Sequence, residues 1–121
     1  MTILIVDDDE LMREMLVQLM QRQGYCASAA TNGTEALRLL TKGGYALVIT
    51  DIVMPDMEGL EFIMQLKKNY PTLPIIAISG GARVSPEHYL DLARQFGARF
   101  AFTKPLDREL LLEKVAQCVK S

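Results

Sequence analysis

The chain has 121 residues, half of them apolar, and a formal charge of −2 at neutral pH. That length supports one domain with one proper core and leaves no comfortable room for a second. No stretch gathers Lys or Arg into a stripe, which argues against direct contact with nucleic acid. Cys26 and Cys118 are far apart and lack C-x-x-C spacing, so neither a disulfide framework nor a zinc site is expected, and both read as small core residues. The start, Met1-Thr2-Ile3-Leu4-Ile5-Val6, has no basic flank and runs straight into acids, unlike a signal peptide. With no long apolar span either, the expectation is a soluble, cytoplasmic protein.

Ile3-Leu4-Ile5-Val6 has the composition of a strand covered on both faces, and it ends at Asp7-Asp8-Asp9-Glu10. Leu11, Met12, Met15, Leu16, Leu19 and Met20 then recur at the spacing of one inward helical face, with a stop at Gly24. The methionines on it read as core filler, not as a metal or cofactor box. Tyr25 to Ala30 is a weaker strand. Asn32-Gly33 turns into a short helix over Thr34 to Lys42, with Ala36, Leu37, Leu39 and Leu40 inward. Asn32 and Glu35 stand at the spacing of a capping-box variant, and Gly43-Gly44 ends the helix. The apolar run Ala46 to Ile49 is too short for a stable helix, and Thr50-Asp51, Pro55 and Gly59 follow; this reads as a buried strand that stops at Asp51.

From Gly59 a third helix is predicted to carry Leu60, Ile63, Met64 and Leu66 inward, with Pro71 and Pro74 bracketing its exit. Leu73 to Ile78 is a fourth strand, ending at Ser79-Gly80-Gly81, a loop that lets backbone approach a ligand. Ser85-Pro86 reads as the N-cap and first turn of a fourth helix closing at Phe96-Gly97, with His88, the only histidine, exposed in its first turn. Arg99 to Thr103 is a fifth strand ending at Lys104-Pro105. Asp107 caps a last helix whose inward face is Leu110, Leu111, Val115, Cys118 and Val119.

Five strands alternating with five helices over short connections require a mostly parallel sheet with helices on both faces, a doubly wound α/β fold in three layers. There is no repeat, linker or low-complexity segment, so one domain over residues 1–121 with no output domain is expected. In such sheets ligands bind outside the carboxyl ends of the strands. Four of the five strand ends carry polar or charged side chains: Asp7 and Asp8, Asp51, Ser79, and Lys104. Each alone has an ordinary reading as a turn former, a helix-dipole partner or a surface charge. Together they do not. Three carboxylates converging within a few ångströms repel one another by roughly 4 kcal/mol per pair at an effective dielectric near 20, and one lysine cannot balance them. A divalent cation can, and an all-oxygen site that also receives a phosphate suits Mg²⁺. The Asp51 carboxylate is then placed to attack a phosphoryl group whose other oxygens Lys104 and the Ser79 hydroxyl hold, giving an aspartyl phosphate.

With these residues in place the chain resembles the receiver domain of two-component response regulators over essentially its whole length. The carriers are Ile3-Leu4-Ile5-Val6-Asp7-Asp8, the stretch from Thr50 to Gly59, Ile75-Ile76-Ala77-Ile78-Ser79-Gly80 and Phe102-Thr103-Lys104-Pro105. The resemblance implies a flavodoxin-like (βα)5 fold and a stand-alone receiver. It implies that Asp51 is the phosphoacceptor, that Asp8 and Asp51 bind Mg²⁺ directly, and that Asp7 acts through a metal-bound water. The backbone carbonyl of Val53 would be a further ligand, Ser79 the switch hydroxyl and Lys104 the phosphate partner. A histidine kinase or histidine phosphotransfer protein would supply the phosphoryl group, which the domain would also hydrolyse itself. The face formed by the fourth helix, fifth strand and fifth helix would then change for a downstream protein, as a monomer or a phosphorylation-dependent dimer.

One position departs from the pattern. Receivers commonly carry Tyr or Phe three residues before the lysine, where this chain has Ala101 between Phe100 and Phe102. Either a neighbouring phenylalanine substitutes, or the output change runs through Ser79-Gly80-Gly81 and the segment from Ala82 to His88. Two other readings stay open. A phosphohydrolase of the haloacid dehalogenase type would use the Asp-x-Asp in Asp7-Asp8-Asp9, although Leu11 stands where that family usually has Thr or Val. A receiver-like binding module would keep the fold without being phosphorylated.

Overall fold

With helices on both faces, every side chain from Ile3 to Val6 is buried, which is why that run can be apolar without alternation. The structure, a computed structural model, describes residues 1–52, 59–79, 91 and 93–120. In order the elements are β1 (Thr2–Val6), α1 (Glu10–Arg22), β2 (Cys26–Ala30), α2 (Gly33–Leu40), β3 (Tyr45–Asp51), α3 (Gly59–Asn69) and β4 (Ile75–Ser79). After them come α4, whose described helical residues are 91 and 93–96, β5 (Phe100–Thr103) and α5 (Arg108–Lys120). All strand pairs are parallel, in the order β2-β1-β3-β4-β5. This is the expected doubly wound fold, and the chain reverses its direction of winding between β1 and β3, where such sheets open a crevice. The register pairs Val6 with Thr50, Asp51 with Ile78 and Ser79 with Thr103, so the strands end along one common edge.

Alternate strand residues serve two cores. Leu4, Val6, Val48, Ile75 and Ala77 face the side covered by Ala36 and Leu40 of α2, Ile63 and Leu66 of α3, and Ala93 of α4. Ile3, Ile5, Leu47, Ile49, Ile76, Ile78 and Phe102 face Leu16 and Met20 of α1 and Leu111, Val115 and Cys118 of α5. The chain returns from β3 to α3 through a contact that admits no side chain. Gly59 donates its N–H to the carbonyl of Ile52 at 3.1 Å, and a Cβ on Gly59 would collide with the Ile52 backbone.

The caps follow the sequence closely. Asn32 Oδ1 accepts from the Glu35 N–H at 2.8 Å, while the Glu35 carboxylate reaches past the cap to the Thr31 N–H at 2.9 Å. Asp107 Oδ1 accepts from the Leu110 N–H at 3.1 Å. Helix α2 starts one residue early, at Gly33, and stops at Leu40 with Thr41 as its cap.

Four residues expected inside lie outside. Leu11, in the first turn of α1, is 78% exposed. Met64 and Leu110 sit at the margins of their helical stripes and are exposed, and Cys26 is exposed at the start of the edge strand β2, leaving Cys118 as the core cysteine. Leu73 belongs to the turn before β4, although it is buried. The expectations for Val53, the Gly80-Gly81 loop, the Ser85-Pro86 cap and His88 concern positions outside the described residues. Among the described residues no helix is long and apolar enough to cross a membrane.

Candidate functional site

Asp7 is the residue after β1, and a chain of local hydrogen bonds fixes its side chain. Its Oδ1 accepts from the Asp9 N–H at 2.9 Å, and Asp9 in turn caps α1 by accepting from the N–H groups of Leu11 and Met12. Asp51 is the last residue of β3, and the buried Thr50 hydroxyl donates to its backbone carbonyl at 2.8 Å. Ser79 ends β4, and its carbonyl accepts from the Lys104 N–H at 2.9 Å, which ties the end of β5 to the end of β4.

These elements bring together the described residues expected at the site. One carboxylate oxygen from each of Asp7, Asp8 and Asp51 lies within 4.8 Å of the others. Asp7 is 1% and Asp51 7% exposed, whereas Asp8 stands at the solvent side. Lys104 enters from β5 and places Nζ 3.2 Å from Asp51 Oδ2 and 3.5 Å from Asp7 Oδ2. At the longer distance the contact is an ion pair and not a formed hydrogen bond, and Asp7 Oδ2 is buried without a hydrogen-bond partner. So is the Ser79 hydroxyl oxygen. Two buried polar atoms without a hydrogen-bond partner thus stand at one strand edge, where each costs stability.

The charges strain one another. Burial raises the Asp7 pKa above the ordinary 3.8, with Asp51 and Asp8 pushing the same way against the Asp9 N–H and Lys104. For Lys104, burial lowers the pKa, but attraction to Asp51 and Asp7 outweighs it and leaves the net value above 10.5. The donor set is all oxygen, one acid is open to solvent and one buried oxygen is orphaned, which together fit a hard divalent cation. A cavity of about 490 Å³ lies at the opposite sheet edge between Tyr45, Tyr70, Pro74 and Cys118, away from these charges.

Residues 3–116 match the response regulator receiver domain family. The chain belongs to that family. Similar proteins include an uncharacterized transcriptional regulatory protein, YkoG, of Bacillus subtilis, 32% identical over 98% of this chain and 50% of its own length. The DNA-binding transcriptional regulator NtrC of Azospirillum brasilense is 35% identical over 99% of this chain and 24% of its own length. This receiver thus spans half or less of those two relatives. Among solved structures, a CheY-like receiver domain protein from Methanospirillum hungatei JF-1 superposes with a TM-score of 0.88 at 31% identity, covering 98% of this chain and 93% of that one.

Within this receiver the fate of Ala101 is clear. Ala101 pairs with Ala77 on β4 and packs on the α2–α3 side of the sheet. Phe100 and Phe102 pack on the α1–α5 side, with the Lys114 ammonium 5.0 Å from the centre of the Phe100 ring. Neither phenylalanine therefore stands in for an aromatic ring at Ala101. Sequence reasoning missed Arg13, whose guanidinium donates to the Asp7 carbonyl at 3.0 Å, and the Thr50 hydroxyl. The only signal for Arg13 is a cation about one turn into a helix that follows an acidic strand end. Asp9, the second acid of the Asp-x-Asp pattern, caps α1 with its carboxylate and is exposed.

Proposed function

We propose that this receiver is a phosphorelay switch: Asp51 accepts a phosphoryl group from a histidine kinase or a histidine phosphotransfer protein, in the presence of Mg²⁺. The observation that carries the reading is the convergence of Asp7, Asp8 and Asp51 on one strand edge with the Lys104 ammonium 3.2 Å from Asp51. Asp8 and Asp51 would hold the cation directly, Asp7 through a water, and the backbone carbonyl of Val53 would complete the set. When bound, Mg²⁺ supplies positive charge that offsets both the acids and an incoming phosphoryl group.

The chain's own residues do the rest. A carboxylate oxygen of Asp51 forms a bond to phosphorus while the bond from phosphorus to the donor imidazole nitrogen breaks; the imidazole leaves and takes a proton from solvent. Lys104, already held at Asp51, and the Ser79 hydroxyl donate to the phosphoryl oxygens in flight. Orphaned in the free protein, the Ser79 oxygen gains its partner only then. The domain would later hydrolyse its own acyl phosphate, and it is read as a signalling domain rather than as an enzyme with an external substrate. The product adds about two negative charges at neutral pH, enough to bias a two-state surface toward a downstream protein. With no ring at Ala101, that bias would run through the loop after Ser79 and the segment from Ala82 to His88.

The commitment of Asp9 to capping α1 speaks against the haloacid dehalogenase reading, which needs its second acid in the pocket. The test uses beryllofluoride, a phosphate analogue, with Mg²⁺. Saturable binding is expected, together with its loss in Asp51→Asn. Binding retained in that variant overturns the assignment of Asp51.

A further inference from the structure

Arg13 belongs to none of the strand ends that build the pocket, yet its Nη1 donates to the backbone carbonyl of Asp7, six residues earlier, at 3.0 Å. That carbonyl is available because of how the sheet ends. Along a parallel ladder the N–H and C=O of one residue bond to two nearby residues of the same neighbouring strand. The Asp7 N–H donates to Ala30 O at 3.1 Å, so its carbonyl should meet the N–H of Asn32. But β2 ends at Ala30, Asn32 caps α2, and the Thr31 N–H is taken by the Glu35 carboxylate. The ladder stops one bond short, and Arg13 supplies the missing donor with a charge-assisted bond.

The peptide held in this way is the one that joins Asp7 to Asp8, the two acids that β1 contributes to the pocket. Rotation of its plane would swing both carboxylates. The Asp9 N–H on Asp7 Oδ1 provides a second point of restraint, leaving Oδ2 aimed into the site. Arg13 also lines the shallow groove that includes Gln21 of α1 and Ala29 of β2. Lys104 comes from β5, at the other end of the sheet order. Lys104 thus pairs with the carboxylates of Asp7 and Asp51, whereas Arg13 bonds to the backbone that joins Asp7 to Asp8.

We propose that Arg13 is a positioning residue: by holding the Asp7 carbonyl it presets the Asp7 and Asp8 carboxylates for a divalent cation. This rests on the reading of the pocket as a Mg²⁺ site. The test measures Mg²⁺ binding by calorimetry for the wild type, Arg13→Met, Arg13→Lys and Asp51→Asn, alongside amide hydrogen exchange at Asp9 in the metal-free proteins. Arg13→Met is expected to weaken Mg²⁺ about tenfold, with partial recovery in Arg13→Lys. The Asp9 N–H should exchange faster in Arg13→Met while the amides shared by β3 and β4 are unchanged. A wild type that binds no Mg²⁺, or binds it equally well as Asp51→Asn, would refute the pocket itself. Wild-type binding with unchanged or tighter binding in Arg13→Met would leave the pocket standing and overturn the role of Arg13, tighter binding being what a merely repelling charge would give.

Discussion

The Lys104 ammonium lies 3.2 Å from Oδ2 of Asp51, a residue 53 positions earlier in the chain. Only the alignment of β5 with β4 and of β4 with β3 makes the pair possible. Because the net pKa of Lys104 is raised, its ammonium stabilises the fold fully below pH 10.5, and the contribution is lost as pH rises through the raised folded value. Lys104→Met is therefore expected to cost about 2 kcal/mol at neutral pH, less than a fully buried pair because part of the side chain meets solvent. Urea unfolding of both proteins across the alkaline range checks this. A deficit that persists undiminished in strongly alkaline solution contradicts it.

The Asp7 carboxyl points the other way. Burial raises its pKa, so its stabilising contribution is complete below pH 3.8 and disappears as pH rises through the folded value, leaving the ionised acid a liability at neutral pH. Asp7→Asn keeps an acceptor for the Asp9 N–H and removes the charge. Metal-free protein carrying it should be more stable by about 1 kcal/mol at pH 7, with the gain fading below pH 3.8. Thermal melts in chelator at the two ends of that range decide, and a lower melting temperature at pH 7 speaks against converging acids.

Ser79 separates stability from function. Its hydroxyl oxygen is buried and unpaired, so Ser79→Ala should leave the free protein as stable or up to about 1 kcal/mol more stable. Labelling by a phosphodonor such as acetyl phosphate should nevertheless slow, because a donor to the phosphoryl oxygens is gone. Equal labelling rates for the two proteins would remove Ser79 from the site.

Gly59→Ala is expected to be among the most damaging small substitutions, at about 3 kcal/mol, since the new methyl would meet backbone that cannot rotate away. The measurement is chemical denaturation in chelator. A cost below about 1 kcal/mol would mean that the Ile52–Gly59 closure is more adaptable than its geometry implies.

Much of this was legible in the residues. The strands announced themselves because a strand covered on both faces must be apolar throughout, and the breaks in those runs fell on the very residues that meet at the pocket. The helices were harder at their margins. A three- and four-residue spacing marks a stripe but not its width, so Leu11, Met64 and Leu110 were counted inside although they are exposed. Arg13 was illegible for a different reason. Its partner is a backbone carbonyl freed by the early end of β2, and which carbonyl goes unpaired depends on the register of two strands, not on any side-chain pattern.

The placement of Ala101 between two phenylalanines has a consequence for how this protein can change over time. Along a strand, one step in sequence is a step through the full thickness of the sheet. Moving a ring from Phe102 to position 101 would hollow out the layer beneath α1 and α5 and crowd the one beneath α2 and α3, two injuries from a single-residue shift. Each layer must therefore adapt by itself, and a ring can be acquired at position 101 only if its own neighbours, beginning with Ala77, make room first.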